Sequence, residues 1–120
     1  MGMGLTFVEV TVAPLNDPTR VVVEQFLVDS GASHTVLPEG IWKPLGLEAV
    51  DHIRIRLADG RVVNRPVGFA MIRFDGHATP SRVILGEADD SKLLGVVTLE
   101  KMGLTLDPLK RTLSAMEIRM

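Results

Sequence analysis

Apolar and polar positions alternate through most of this chain. From Thr6 to Val12, Thr6, Val8, Val10 and Val12 share one face and Phe7, Glu9 and Thr11 the other. Period two with β-branched residues predicts a half-buried strand. Pro14-Leu15-Asn16-Asp17-Pro18 is a turn cluster, in which proline fixes φ and Asn or Asp bonds nearby backbone. A second strand, Arg20 to Val28, is expected to run antiparallel to the first and to end at Asp29. Thr35-Val36-Leu37 reads as a short strand; Pro38 opens and Gly46 closes a short helical segment. Ile41 and Leu45 share a face of that segment, Gly40 and Pro44 keep it short, and Trp42 is expected to pack.

In the middle of the chain, Ile53, Ile55 and Leu57 alternate with Arg54 and Arg56, and Arg61-Val62-Val63 resumes after Asp59-Gly60. Asp-Gly between alternating runs is a strong hairpin signal. Val67 to Phe74 predicts another strand, turning at Asp75-Gly76, and Ser81 to Leu85 one more. Glu87-Ala88-Asp89-Asp90-Ser91 is read as a solvated turn, since it lacks the ligand spacing of a calcium loop. Thr98 is expected to cap a short helix carrying Leu99 and Met102 and closed by Gly103. Leu104-Thr105-Leu106 and Leu113 to Ile118 are the last extended pieces, joined through Asp107-Pro108. No linker or repeat divides the chain, so residues 1–120 are read as a single domain. Many short strands, Gly/Pro turns and little helix predict a small all-β, barrel-like fold.

Composition narrows the function classes. Apolar residues make up 46% and charged residues 23%, the balance of a globular protein. A net charge of −2 offers no basic footprint for nucleic acid, and four Phe with one Trp are too few for a base-stacking surface. No apolar run is long enough to span a membrane, and Met1-Gly2-Met3-Gly4 lacks a signal-peptide pattern. The absence of cysteine excludes disulfide and thiolate chemistry and fits a reducing compartment. The expectation is a cytoplasmic protein with no nucleic-acid or membrane partner. A mean hydropathy of +0.24 fits apolar surface left over for a partner subunit.

The candidate chemistry sits in Phe26-Leu27-Val28-Asp29-Ser30-Gly31-Ala32-Ser33. A carboxylate ending an apolar strand must be paired or displayed, because stripping water from it is expensive. Gly31 allows a sharp turn that brings backbone N–H groups near the acid. Ser30 as a nucleophile fails, since Val28-Asp29-Ser30-Gly31-Ala32 is not the Gly-x-Ser-x-Gly elbow, and no oxyanion motif accompanies His34. His34, His52 and His77 lack zinc-ligand spacing, so neither a metal nor another cofactor is expected. Arg54, Arg56, Arg61 and Arg65 read as the solvated face of a hairpin.

Phe26 to Ala32 resembles the active-site signature of the retropepsin-like aspartic proteases: apolar residues, Asp, Thr or Ser, Gly, Ala. Leu93-Leu94-Gly95, with the helix and strand that follow to Asp107, looks like the late apolar-apolar-Gly element of that family. The resemblance, to a cellular, prokaryotic-type member, implies a closed β-barrel with one or two short helices. It makes Asp29 the catalytic residue, Ser30, Gly31 and Ala32 its loop, and Leu93, Leu94 and Gly95 the support behind that loop. The hairpin tip Ala58, Asp59, Gly60 and Arg61 becomes a flap, although taken alone it reads as an ordinary surface hairpin. Aspartic proteolysis needs two carboxylates, and the sequence holds one Asp-Ser-Gly triplet. The implied enzyme is therefore a homodimeric endopeptidase that acts on peptide or protein substrates through one Asp29 per subunit. Thr6–Val12 and Leu113–Met120 are both candidates for the sheet between subunits. Two other readings stay open: a catalytically silent dimer of this fold that binds peptides or partner proteins, and a structural β-domain in which Asp29 is a turn acid.

Overall fold

Strand pairing closes the chain on itself. The computed structural model describes residues 6–107 and 109–117. Its elements in chain order are β1 (Thr6–Ala13), β2 (Val22–Asp29), β3 (Thr35–Leu37), α1 (Glu39–Trp42), β4 (Asp51–Arg56) and β5 (Val62–Phe74). They are followed by β6 (His77–Leu85), β7 (Leu93–Gly95), α2 (Val96–Lys101), β8 (Leu104–Asp107) and β9 (Thr112–Ala115). The main sheet runs β1-β2-β7-β3-β6-β5-β4, and a further β1–β5 pairing closes six of these strands into a mixed barrel. β4 remains outside the ring as one arm of a hairpin with β5, and β8 and β9 form a separate two-stranded sheet. The expected all-β barrel is the fold observed, and of the one or two short helices expected, two are present among the described residues. Residues 1–5, Pro108 of the predicted Asp107-Pro108 turn, and residues 118–120 at the predicted C-terminal extension lie outside the described residues.

The alternation read in the sequence sets which side of each strand faces the core. In β1, Val10 and Val12 are fully buried while Phe7 is 55% exposed; in β2, Phe26 and Val28 are buried. These side chains meet Leu37, Ile72, Val83, Leu94, Leu99 and Met102 in one core. β1 pairs with β2 along Thr6–Val12 and with β5 at Thr11–Ala13, so it is a barrel strand rather than a free arm. Asp17 closes the predicted turn before β2, its carboxylate accepting from the backbone N–H and hydroxyl of Thr19.

Three boundaries differ from those expected. β5 runs unbroken for 13 residues through Pro66 and Gly68. It pairs with β4 as far as Asp51↔Val67 and with β6 from Val67↔Ile84, so it changes partner where the proline and glycine sit. Gly68 permits that bend, since a β-carbon there would lie 2.8 Å from the Glu48 carbonyl oxygen. β6 begins at His77 because Asp75 and Gly76, both at positive φ, make a two-residue turn that pairs Phe74 directly with His77. α2 begins at Val96, which places Thr98 inside the helix instead of at its cap. The backbone N–H groups of Val96 and Val97 are already satisfied by the Ala32 and Ser33 carbonyls, so no capping hydroxyl is required.

Trp42 is half-buried against the core, and its Nε1–H donates to the Gly86 carbonyl at 2.8 Å. This ties α1 to the end of β6. No helix among the described residues is long and apolar enough to cross a membrane. Trp42→Phe keeps most of the buried ring but removes the donor. We expect a loss of about 1 kcal/mol in urea-induced unfolding with the slope of the transition unchanged.

Candidate active site

Asp29 is the last residue of β2, on the parity of Gln25 and Leu27 and opposite buried Phe26 and Val28, and it is half-buried. Its Oδ1 accepts from the Gly31 N–H at 2.9 Å, and its carbonyl from the Ala32 N–H at 3.1 Å. Ser30 and Gly31 are exposed at the tip of the resulting turn. A side chain on Gly31 would bring a β-carbon to 3.3 Å from Asp29 Oδ1, so the glycine leaves the carboxylate room.

The predicted support lies directly alongside. β7 runs parallel to β2 with Leu27↔Leu93, Val28↔Leu94 and Asp29↔Gly95 as partners. Gly95 passes so close to the loop that a β-carbon would stand 2.5 Å from the carbonyl carbon of His34 and 2.7 Å from the Ser33 oxygen. The helix that follows grips the loop, through Val96 N–H to Ala32 O at 2.8 Å and Val97 N–H to Ser33 O at 3.2 Å.

Beneath the loop lies a buried chain of hydroxyls that sequence reasoning missed. Gly95 N–H donates to Thr35 Oγ1 at 3.0 Å; Thr35 Oγ1 lies 2.7 Å from Thr98 Oγ1, and Thr98 Oγ1 lies 2.9 Å from Ser81 Oγ. One direction satisfies every proton: Thr35 donates to Thr98, Thr98 to Ser81, and Ser81 to the Arg82 carbonyl at 3.2 Å. Among the described residues no buried side-chain polar atom lacks a partner. Only Thr98, alone among the apolar residues Val96, Val97 and Leu99, gave a local sign, because a buried hydroxyl needs a partner; Thr35 and Ser81 stand among polar neighbours and gave none.

Opposite the loop stands the β4–β5 hairpin. A cleft of about 680 Å³ separates them, with Gly31, Ala32 and His34 on one wall and Ile53, Ile55 and Val63 on the other. The tip residues Ala58, Asp59, Gly60 and Arg61 are exposed and do not line this cleft; the hairpin's arms and Leu57 do. Gly60, at φ +89°, donates to the Leu57 carbonyl, and Asp59 accepts from the Arg61 N–H at 2.9 Å and Nε at 2.7 Å. The Arg61 backbone N–H first, and then its side chain, hold the Asp59 carboxyl below the usual carboxylate range. That favours the folded turn above the ordinary carboxylate value and is lost as pH falls through the lower folded value. The pair is exposed, so the effect on stability is small.

Arg65 departs from the expected solvated face. It shares the inward parity of Val63 and Val67, its side chain is 23% exposed, and it reaches Glu87 Oε1 at 3.1 Å and Asp90 Oδ2 at 3.9 Å. Asp90 also accepts from the Glu87 N–H at 2.7 Å, so the acidic loop is organised by one arginine. No group of three or more His, Asp or Glu side chains is gathered as a metal site among the described residues.

A closed mixed barrel with an Asp-Ser-Gly turn at a strand end, backed by a parallel Leu-Leu-Gly strand, is the retropepsin-like architecture. The sequence profile described as "gag-polyprotein putative aspartyl protease" matches residues 8–101, and the chain belongs to this aspartyl protease family. A search among curated protein sequences returns no match. Among solved structures, the EIAV protease complexed with the inhibitor HBY-793 superposes with a TM-score of 0.61 at 19% identity, over 87% of this chain and 93% of that one. The likeness is one of fold.

Two substitutions test how the loop is held. Gly95→Ala forces a β-carbon into backbone atoms that cannot step aside, and should cost roughly 3 kcal/mol by chemical denaturation. Thr98→Val keeps the volume but deprives Thr35 and Ser81 of their shared partner. A loss of about 2 kcal/mol is expected, with faster amide exchange at Gly95 and Val96.

Proposed function

We propose that the protein is a homodimeric aspartic endopeptidase in which Asp29 of each subunit supplies half of the catalytic pair. The observation that carries this reading is a lone carboxylate, fixed at a strand end by the Gly31 N–H and facing out of the core. Three other turn acids have local duties: Asp17 with Thr19, Asp59 with Arg61, and Asp107 with the N–H groups of Leu109 and Lys110. None of these follows an apolar strand and precedes a hydroxyl and a glycine.

Two carboxylates about 3 Å apart cannot both ionise, so such a pair holds one proton. The ionised member takes a proton from a water as that water attacks the peptide carbonyl. The protonated member hydrogen-bonds the carbonyl oxygen as it gains negative charge, and proton transfer to the leaving nitrogen completes the cleavage. Ser30 would bond across the two-fold axis and stiffen the paired loops. The β4–β5 hairpin would act as the flap over an extended peptide.

The dimer is supported by a hollow that Ser30 shares with Leu99, Leu104, Leu106 and Met116, an apolar recess between the loop and the C-terminal sheet. The edges of β8 and β9 that face away from each other have no strand partner among the described residues, whereas β1 is committed to the barrel. The C-terminal hairpin is therefore the better candidate for the sheet between subunits. The exposed tip of the hairpin, clamped by Asp59 and Arg61 away from the cleft, favours one second reading: a dimer that binds peptides without cutting them.

Digestion of a mixed peptide library separates the two. Cleavage is expected in mildly acidic buffer, with activity lowered about a thousandfold or more in Asp29→Asn and specific activity falling when the protein is diluted below its dimer dissociation constant. Full activity in Asp29→Asn, or no products from the wild type at any pH, would overturn the proteolytic assignment.

A further inference from the structure

The substrate cleft does not end at the active-site loop. Ser33 and His34, which wall it, also wall a second hollow of about 660 Å³ on the far side of the loop. Phe69 and Val97, each 44% exposed, line that hollow over the buried hydroxyl residues Thr79, Ser81 and Thr98. Large apolar side chains left open beside a binding cleft are where an extended ligand gains contact area. The rim carries Arg82 and Lys101 and no carboxylate.

The charge is available. Lys101 forms no ion pair among the described residues. Arg82 meets Asp51 at 3.1 Å, but the two side chains are 42% and 60% exposed, and a surface pair of this kind contributes little and is readily shared. His34 sits between the two hollows with Nδ1 at 2.9 Å from Ser33 Oγ, which holds its ring in place at the junction. The main cleft carries cations too, Arg54 and Arg56 on the hairpin arm and Arg65, but Arg65 is paired with Glu87 and Asp90, and Asp90 itself lines that cleft, whereas no carboxylate lines the second hollow.

We propose that this hollow binds an acidic flank of the peptide substrate. The chain would leave the cleft past His34, lay an apolar side chain on Phe69 and Val97, and bring an Asp or Glu to Arg82 and Lys101. The inference rests on the peptide-cleaving reading and adds the chemical class of substrate. The occupant is assigned to the same extended peptide because the two hollows adjoin, with Ser33 and His34 lining both.

The test uses fluorescein-labelled peptides that share one apolar core and carry acidic, neutral or basic flanks. Binding is read by anisotropy on full-length Asp29→Asn protein, and cleavage is read on the wild type. Acidic-flanked peptides should bind about five- to tenfold more tightly than neutral ones, with the difference shrinking in high salt. In wild-type cleavage the same ratio should appear in KM. Lys101→Glu combined with Arg82→Gln should bring the acidic-to-neutral ratio to one or below. Arg73→Glu, an exposed charge change on β5 that lines neither hollow, should leave the ratio in place and so excludes a general charge effect. Cleavage with equal KM for all flanks overturns this inference and leaves the protease reading standing. Acidic preference in binding without any cleavage overturns the protease reading alone. An acidic segment that binds equally well without the apolar core would mean a separate protein partner, which overturns the assignment to substrate, and failure to bind any peptide overturns both.

Discussion

Gly95 lies against the main chain of Ser33 and His34 with no room for a single carbon between them. Three separate pieces of chain meet at this approach. β2 arrives from one side, with Asp29 paired to Gly95; β3 leaves from the other, with the Thr35 hydroxyl accepting the Gly95 N–H; and α2 departs with its first N–H groups on the Ala32 and Ser33 carbonyls. Because strand, strand and helix all bond the same few residues, the turn carrying Asp29 has little freedom. Hydrolysis by a shared pair of carboxylates tolerates little error in their separation, so a turn fixed on several sides is what the proposed chemistry would require.

The hydroxyl chain extends this constraint into the core. Thr35, Thr98 and Ser81 belong to three different elements, and each would be expensive to bury alone. Bonded in series, they link β3, α2 and β6 beneath the loop in one geometry. A purely apolar contact at the same place would hold the elements together but tolerate sliding and rotation; directional bonds do not.

What the sequence made legible was local, and what it hid was relational. Asp29-Ser30-Gly31 after Phe26-Leu27-Val28, the Asp59-Gly60 hairpin, and Leu93-Leu94-Gly95 are each short patterns whose meaning lies within a few residues. The structure brings the first and third together by parallel pairing, and sets the arms of the second across the cleft. The hydroxyl chain could not be read, because it depends on which of the Thr and Ser residues meet in space. Arg65 was misread because its inward direction follows from the register of β5, and one arginine among four in a hairpin gives no local sign of facing the other way. Thr98 looked like a helix cap for the same reason. Its position ahead of a short apolar helix fits a cap, but the loop carbonyls had already satisfied the N–H groups a cap would serve.

The electrostatics along the groove follow from where carboxylates are and are not tied down. On the cleft side of His34, Arg65 is tied to Glu87 and Asp90, and Arg54 and Arg56 line the same cleft from the hairpin arm. On the other side, Lys101 has no counter-charge among the described residues, and Arg82 has only an exposed one. An extended peptide crossing the loop would pass from a cleft of mixed charge to a ledge whose lining carries cations and no carboxylate. In a two-fold dimer each such ledge occurs twice, once on either side of the scissile bond, because every surface of one subunit is repeated by its partner. A single acidic flank would then engage one ledge whichever way the subunits are viewed. Acids on both flanks would engage two ledges through one molecule, at the effective concentration set by the peptide between them. The symmetry proposed to supply the second carboxylate would thus make the proposed selectivity steeper for peptides acidic at both ends than one hollow alone would give.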